Sequence, residues 1–449
     1  MSAVSDLKRQ FSRVARGDSM PRRDTGGPNG ISGGDNEHTP LISGGGNKKP
    51  LYEDDRAWVR YPSSFFHISW LVLTSNYVNI LLVFVPVGIV LGALGMNPIA
   101  VFAVNFFAIV PLAALLSFAT EELSVKLGQT LGGLMNATFG NAVELIVSIV
   151  ALRQGEIRIV QASMLGSILS NILLVLGCCF ISSGIRRRES TFNATVASTM
   201  SSLMAVAATS LIIPATLYAS LQNSSADTES NILVLSHGTA IILLCLYGLY
   251  LFFQLKTHAT LFDAEAQTDE DGNEEEAQIL GPIPAGIGLV LVTLCVAVCA
   301  EYLVDSIDAI VEEAHISKTF IGLILLPIVG NAAEHVTAVV VAWKDKMDLA
   351  IGVAIGSSMQ IALFVTPFLV ILGWCIGQPM TLHFQTFETV VFFLSVLVVN
   401  YLIGDGKSNY LEGCMCLGTY IIIALAFWVK PDDATGDAIV GAVKGMFLR

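Results

Sequence analysis

Charged side chains are scarce in this sequence. Only 14% of its 449 residues are Asp, Glu, Lys or Arg, whereas 53% are hydrophobic. The apolar residues fall in long runs, and no Lys or Arg lies near the middle of any run. This pattern indicates helices that cross a membrane. A closed membrane barrel is excluded, because its strands would alternate apolar and polar residues.

Motifs of several other protein classes are also missing. There is no His-Glu-x-x-His zinc signature, no phosphate-binding loop and no enzyme nucleophile, so we expect neither an enzyme nor a cofactor. Most of the eight cysteines lie inside apolar runs, which is typical of small core residues and not of a disulfide or zinc framework. Most of the net charge of −13 comes from one acidic stretch, and we expect no nucleic-acid partner.

Eleven apolar runs are long enough to cross a hydrocarbon core of about 30 Å as helices. They lie at 77–94, 98–118, 131–152, 158–182, 197–219, 233–254, 283–304, 320–343, 348–374, 386–404 and 412–429. The sequence therefore predicts an all-α polytopic membrane protein with eleven transmembrane helices.

The segments outside these runs are strongly polar. Residues 1–60 predict a disordered cytosolic tail, residues 255–282 an acidic cytosolic linker and residues 430–449 a short lumenal tail. Within the linker, residues 263–278 hold eight acids and no base, which fits either a calcium-gathering or calcium-sensing segment or a plain solvated connection. Residues 37–42 fit either an acidic dileucine signal for sorting to vacuoles or lysosomes, or ordinary tail sequence.

Basic residues in the short loops predict the orientation, because cytoplasmic loops carry the excess of Lys and Arg. With a cytosolic N-terminus, the cytosolic loops hold Lys126, Arg186, Arg187, Arg188, Lys256, Lys344, Lys346 and Lys407, and the opposite loops hold Arg153, Arg158 and Lys318. An odd number of spans then places the C-terminus in the lumen. Asn223 would be a candidate glycosylation site on that side.

The chain contains an internal repeat with an offset of 190 residues. Gly140-Asn-Ala-Val-Glu144 recurs as Gly330-Asn-Ala-Ala-Glu334, and further matches such as Gly166 with Gly356 keep the register without a gap. We infer a duplication of a five-helix unit.

This duplication predicts the architecture. A first helix at 77–94 is followed by one five-helix repeat at 98–254 and a second at 283–429. Because five is odd, the second repeat is inverted relative to the first. Inverted repeats place a shared site near the midplane and supply two facing states, which is the basis of alternating access.

Glu144 and Glu334 lie inside apolar spans, where an ionised carboxylate costs at least about 2.5 kcal/mol. Since no basic residue lies at that depth, bound protons or a bound cation must neutralise them. Two carboxylates match a divalent charge, and oxygen ligands suit Ca²⁺ or Mn²⁺. We predict that Glu144 and Glu334 bind Ca²⁺ and protons alternately; the alternative is a pair of protonated core glutamates.

Small and amide residues before each glutamate are candidates for further ligands. Gly140 and Gly330 weaken their helices, which would expose backbone carbonyls to Ca²⁺, and Asn141 and Asn331 would add side-chain oxygens. Close packing of helices at small residues is the alternative for the glycines.

The next span of each repeat supplies hydroxyl and amide groups at matching positions. Ser167 matches Ser357, and Ser170 matches Gln360, so these four side chains either complete the metal site or hold membrane helices together. His335 has no counterpart, because Leu145 stands at the equivalent position. It would either relay protons or form an interhelical hydrogen bond.

These motifs resemble the two signature repeats of the calcium/proton exchanger family, nearest to its fungal vacuolar members. The similarity runs from about Asn79 to Asp433 and includes 136–140, 158–167 and 317–322. It implies an eleven-helix cation exchanger fold in the vacuolar membrane that imports cytosolic Ca²⁺ against lumenal H⁺. It also implies that the two glutamates carry both ions.

Two other transport classes remain open. A sodium/calcium exchanger would share the architecture, but it usually has more hydroxyl ligands beside the acids, and here Val143 and Ala333 precede the glutamates. A calcium channel would not need the inverted repeat. The expected partners are Ca²⁺, H⁺ and the lipid bilayer, and a homo-oligomer is compatible with the sequence.

Overall fold

The computed structural model describes residues 77–221, 228–261 and 281–430. The predicted N-terminal tail, Asn223, the acidic stretch 263–278 and the predicted lumenal tail beyond Lys430 lie outside the described residues. Within the described ranges the chain is almost entirely helical.

Sixteen α-helices, numbered in chain order, make up most of this part of the chain, together with one short pairing of strands, a 3-10 helix at Tyr77–Val83 and π-helical turns at Ser170–Val175, Phe253–Thr257, Ile321–Leu325 and Ile361–Val365. The helices are α1 Phe84–Ala93, α2 Pro98–Phe139, α3 Ala142–Arg153, α4 Ile157–Leu169, α5 Leu176–Arg186, α6 Ala194–Leu221, α7 Thr228–Phe252, α8 Pro282–Asp305, α9 Ile307–Ala314, α10 Lys318–Phe320, α11 Leu326–Gly330, α12 Ala332–Trp343, α13 Met347–Gln360, α14 Thr366–Ile376, α15 Thr386–Leu402 and α16 Tyr410–Val429. The strands are β1 Ser190–Thr191 and β2 Lys407–Ser408, which pair antiparallel.

Seven helical stretches of the described chain are long and apolar enough to cross a membrane. They are Pro98–Leu127, Ile157–Arg186, Ala194–Tyr218, Thr228–Thr257, Pro282–Ala314, Met347–Ile376 and Tyr410–Val429. An eighth span is the pair Lys318–Gly330 and Ala332–Trp343, which is bent by 58°. The shorter apolar helices Val78–Ala93 and Thr386–Leu402, together with the stretch from 131 to 153, make a set that is consistent with the eleven predicted spans.

Helix α2 cannot be a single straight span. Its 42 residues would extend about 63 Å, roughly twice the hydrocarbon thickness. A β-carbon at Gly132 would lie 2.2 Å from the carbonyl oxygen of Ser124, although residues eight positions apart are separated by about 12 Å along a straight helix. The chain therefore reverses between these residues, and 131–139 starts a new span that α3 completes.

The sequence repeat recurs in the backbone. The spans Ile157–Arg186 and Met347–Ile376 are both 30 residues long and match at the 190-residue offset at both ends. Both contain a π-helical turn at the equivalent place, at Ser170–Val175 and at Ile361–Val365. Such turns are rare, so their shared position reflects a common local structure of the two halves.

Contacts between loops establish that the repeats are inverted. The loop between α3 and α4 is joined to the start of α10 by an ion pair of Glu156 with Lys318, at 3.0 Å. At the other end, Arg186 of α5 donates to the carbonyl of Trp343, the last residue of α12, at 2.8 Å. The stretches 131–153 and 318–343 therefore cross in opposite directions.

The two faces of the molecule are named by these loops. The Lys318 side contains loops 153–157 and 314–318, and the Lys344 side contains loops 186–190 and 343–347. The loops that the sequence places in the cytosol by their excess of basic residues belong to the Lys344 side.

Helices α5 and α16 pack backbone against backbone and join the two repeats. A β-carbon at Gly184 would lie 2.6 Å from the amide nitrogen of Tyr410, and one at Gly413 would lie 2.7 Å from the carbonyl oxygen of Gly177. Glycine is required for this approach, because it has no β-carbon. The pairing of β1 with β2 extends the same junction beyond the helix ends.

Candidate functional site

Each repeated Gly-Asn-Ala motif interrupts a helix. Helix α2 ends at Phe139 and α3 begins at Ala142, while α11 ends at Gly330 and α12 begins at Ala332. As a result, Glu144 and Glu334 both lie in the first turn of the helix that follows the break. The free amides and the dipole at a helix N-terminus favour negative charge there.

Glu144 occupies a closed position. Its side chain is 5% exposed, and its Oε1 atom has no hydrogen-bond partner within the described part of the chain. The carboxylate lies against the break of the other repeat, since a β-carbon at Gly330 would be 2.9 Å from Oε1. The cavity beside it has a volume of about 10 Å³ and is walled mainly by apolar side chains such as Leu303 and Leu326, so it has room for about one water molecule.

Glu334 is half-buried and belongs to a network of polar side chains. Its Oε2 atom lies 2.9 Å from the hydroxyl of Ser357, and the same hydroxyl lies 2.7 Å from Oδ1 of Asn141. Ser357 also accepts a hydrogen bond from Asn171 at 3.0 Å, and Asn141 donates to Gln360 at 2.8 Å. Because a serine hydroxyl has one proton, Ser357 donates either to Glu334 or to Asn141.

The equivalent side chains of the other half have no such network. Ser167 and Asn331, the counterparts of Ser357 and Asn141, are fully buried. The Ser167 hydroxyl and both polar atoms of the Asn331 side chain lack partners among the residues that the structure describes. Buried polar groups in native proteins are nearly always satisfied. These atoms and Oε1 of Glu144 are therefore the groups that a transported ion or a bound water would satisfy.

The donor set of the site is two carboxylates with neutral oxygens. In the described ranges, no three His, Cys, Asp or Glu side chains converge. Glutamate, amide and hydroxyl oxygens are hard ligands, which suit Ca²⁺ or Mn²⁺ as a transported substrate and do not suit soft metals.

His335 and Ser170 contact each other across the repeats, with His335 Nε2 lying 3.2 Å from Ser170 Oγ. A proton relay and an interhelical hydrogen bond would both use this contact, so the two predicted roles of His335 remain. Gly140 is exposed, and the nearest side-chain atom to a β-carbon there would be Oε1 of Gln360, at 3.8 Å.

Three residues near the site were not among the predicted ligands. Asn171 bonds Ser357, Ser163 lines the small cavity beside Glu144, and Ser148 is buried with an unpartnered hydroxyl in the described structure. The spacing of four residues from Glu144 to Ser148 places them on one face of α3 and was a signal in the sequence.

Exposure of the two broken spans is unequal. Before the breaks, Asn136 and Gly140 of the first repeat are exposed, whereas their counterparts Leu326 and Gly330 are buried and half-buried. After the breaks the relation reverses, because Ile146 and Val147 are half-buried and buried, whereas their counterparts Val336 and Thr337 are exposed. We call 131–140 and α12 the exposed arms of the two broken spans. Since the repeats are inverted, both arms lie on the Lys344 side.

Close helix contacts seal the Lys318 side. A β-carbon at Gly166 would lie 2.1 Å from the carbonyl oxygen of Leu323, and one at Gly322 would lie 2.8 Å from the β-carbon of Ala162. The counterpart Gly356 has only the methyl carbon of Met200 near it, at 3.3 Å. The packing around the two broken spans is thus asymmetric, and their more exposed arms lie on the Lys344 side.

An inverted pair of five-helix units, each with a carboxylate at a broken helix, defines an alternating-access transporter of cations. Residues 97–256 and 285–429 match the family described as sodium/calcium exchanger protein. The chain belongs to this family.

Relatives and a solved structure agree with that assignment. The vacuolar calcium ion transporter of Schizosaccharomyces pombe is 55% identical over 361 residues, which cover 80% of this chain and 87% of the relative. The vacuolar calcium ion transporter of Cryptococcus neoformans is 41% identical over 82% of this chain and 76% of the relative. The crystal structure of the selenium-substituted Ca²⁺/H⁺ antiporter YfkE is 35% identical, has a TM-score of 0.65 and covers 78% of this chain and 99% of YfkE. The predicted exchanger fold is confirmed.

Proposed function

We propose that this protein exchanges cytosolic Ca²⁺ for lumenal H⁺ across the vacuolar membrane by alternating access. The observation that carries the proposal is the position of Glu144 and Glu334 in the first turns after two helix breaks, with the Glu144 carboxylate against Gly330 of the other repeat and no Lys or Arg in the interior of either span. The relatives described as vacuolar calcium transporters and the antiporter YfkE support the same substrates.

Charge neutrality explains the coupling. One Ca²⁺ neutralises both carboxylates, and so do protons, whereas an empty pair of ionised carboxylates is costly inside the membrane. Only loaded states therefore pass through the closed intermediate. In the state described above, Ca²⁺ enters from the Lys344 side and displaces protons from the glutamates. When Ca²⁺ binds one of the two acceptors of Ser357, Glu334 or Asn141, the Ser357 hydroxyl donates its proton to the other one.

The ligand set of the proposal comprises Glu144 and Glu334 with oxygens from the breaks at Gly140 and Gly330. The side chains Asn141, Asn331, Ser167, Ser170, Ser357 and Gln360 supply neutral donors. The same hard donors would accept Mn²⁺ as a competing substrate. No resident cofactor is needed.

The excess of basic loops supports a cytosolic Lys344 side, a cytosolic N-terminus and a lumenal C-terminus. Labelling of a single cysteine placed at either terminus in intact vacuoles would test this orientation.

The test is Ca²⁺ uptake into sealed vesicles with an acidic interior that contain the purified protein. Wild type is compared with Glu144→Gln and Glu334→Gln, and Glu229→Gln, an exposed acid at the start of α7, is the matched control. We expect uptake that requires the pH gradient and is lost in both site variants and kept in the control. Uptake without any gradient would indicate a channel, and uptake driven by an outward sodium gradient at equal pH would indicate sodium coupling.

A further inference from the structure

A second cavity lies at the Lys344 side, away from the two glutamates. It has a volume of about 340 Å³ and lies between the end of α5 and the end of α12. Its lining includes Ser183, Arg186, Arg187, Trp343, Lys344 and Asp345. Because both helices end here, the cavity lies where spans meet the membrane surface.

The lining is positively charged. Three bases stand against one acid, Asp345, which pairs with Arg187 at 2.6 Å. Arg186 is held in place by Trp343, because its guanidinium lies 5.2 Å from the centre of the indole ring and donates to the Trp343 carbonyl at 2.8 Å. The side chain of Lys344 is exposed and has no ion pair or hydrogen bond in the described structure.

Nearby acids do not neutralise this charge. Glu189 pairs with Lys407 at 3.2 Å, and Asp348 accepts a hydrogen bond from the backbone amide of Asn193 at 2.5 Å. The carboxyl ends of α5 and α12 carry partial negative charge, and Arg186 covers the Trp343 carbonyl at one of them. The cavity therefore disfavours cations, including the transported one.

We propose that this cavity is a binding site for a phosphate-bearing anion, supplied either by the headgroup of a phosphorylated membrane lipid or by a soluble polyphosphate. Guanidinium groups bind phosphate oxygens through two parallel hydrogen bonds, and Lys adds a mobile charge. Basic pockets between the cytoplasmic ends of spans are suited to lipid headgroups.

Binding there would act on transport through α12. This helix begins with the turn that bears Glu334 and ends at Trp343 in the cavity wall, about 14 Å further along the helix. An anion that contacts both α5 and α12 stabilises the arrangement of these two helices in which the cavity exists, which is the one described here. Binding therefore favours this state over one in which the two helix ends have moved relative to each other.

The experiment titrates the purified full chain in detergent with two probes, short-chain phosphatidylinositol 4-phosphate and tripolyphosphate, by calorimetry. The variants are Lys344→Gln and Arg187→Gln, with Lys344→Arg as the conservative replacement. Lys126→Gln is the matched control, because Lys126 is an exposed base on the same side and outside the cavity. Melting temperatures without probe establish that each variant is folded.

We expect Lys344→Gln to weaken binding about fivefold, as loss of one cation near the membrane surface does. Arg187→Gln should weaken it further, because Asp345 is then left unneutralised beside the anion, while Lys344→Arg and Lys126→Gln should bind as wild type does. Binding of the lipid alone would assign the lipid source, and binding of tripolyphosphate with the same variant pattern would assign the soluble source. The proposal is overturned if neither probe binds, or if Lys126→Gln weakens binding as much as Lys344→Gln does.

Discussion

The carboxylate of Glu144 lies against Gly330, so that the acid of the first repeat faces the helix break of the second. A β-carbon at position 330 would approach Oε1 to 2.9 Å. Glu334 instead bonds Ser357 within its own repeat. Two halves with the same motif therefore hold their acids differently in this facing state.

Replacing Gly330 should disturb Glu144 directly. We expect Gly330→Ala to lower the free energy of unfolding by about 1–3 kcal/mol, because the added methyl overpacks a buried site, and to lower Ca²⁺ uptake as well. Thermal unfolding in detergent and vesicle uptake measure the two effects. Gly238→Ala is the control, because a β-carbon there meets no atom within 4 Å; equal effects of the two substitutions would contradict the contact.

Ser357 and Ser167 are equivalent in sequence but should respond differently to truncation. Ser357→Ala removes the hydroxyl that serves Glu334, Asn141 and Asn171, and we expect it to cost about 1–3 kcal/mol of stability. Ser167→Ala removes a hydroxyl with no partner among the described residues, so it should leave the melting temperature nearly unchanged and raise the KM for Ca²⁺. A large loss of stability in Ser167→Ala would show that its hydroxyl is bonded to protein.

Access to the site should be one-sided in this state. Asn136 is exposed on the Lys344 side, and its repeat counterpart Leu326 is buried. In a chain whose eight native cysteines have been replaced, we expect Asn136→Cys to react with a water-soluble maleimide and Leu326→Cys to react at least about tenfold more slowly, since local opening of a buried site costs free energy. Equal reaction rates, or no reaction at Asn136→Cys, would mean that the arm 131–140 faces protein or lipid.

A buried ion pair should hold the Lys318 side together. Arg158 pairs with Glu388, whose side chain is fully buried. We expect Arg158→Met to cost about 3–5 kcal/mol, because it leaves a buried carboxylate without its partner. Lys407→Met, which breaks the exposed pair with Glu189, should cost less than about 1 kcal/mol. Chemical denaturation of the two variants provides the comparison, and similar losses would refute the difference in burial.

Most of what the sequence predicted correctly about the site came from its internal repeat. A gapless offset of 190 residues anticipated paired weak points at Gly140 and Gly330, and the backbone breaks between Phe139 and Ala142 and between Gly330 and Ala332. Span ends were less predictable. The helix that starts at Pro98 continues as a span to Leu127, beyond the predicted end at 118, because Glu121, Glu122 and Lys126 are good helix formers even though they are polar.

Which half of the site is hydrogen-bonded could not be predicted. Ser167 and Ser357 stand in nearly the same local sequence, and the difference between them belongs to the facing state, which is a property of an equilibrium and not of a motif. One signal was available, because Asn171 has the apolar Ile361 as its counterpart. Because the second repeat has Ile361 at this position, only the first repeat supplies an amide, that of Asn171, which bonds Ser357.

The glycine contacts of α5 with α16 determine which parts of the protein can move. These helices come from different copies of the duplicated unit, yet their backbones touch at Gly177, Gly184 and Gly413, and β1 with β2 fastens their ends. If α5 slid along α16, main-chain contacts along the whole length of the two helices would break. The glycine contacts between α4 and residues 321–330 are fewer, because they involve only Gly166 and Gly322. A rigid frame built on the contact of α5 with α16 would combine helices of both copies, so that it would not coincide with either unit of the duplication.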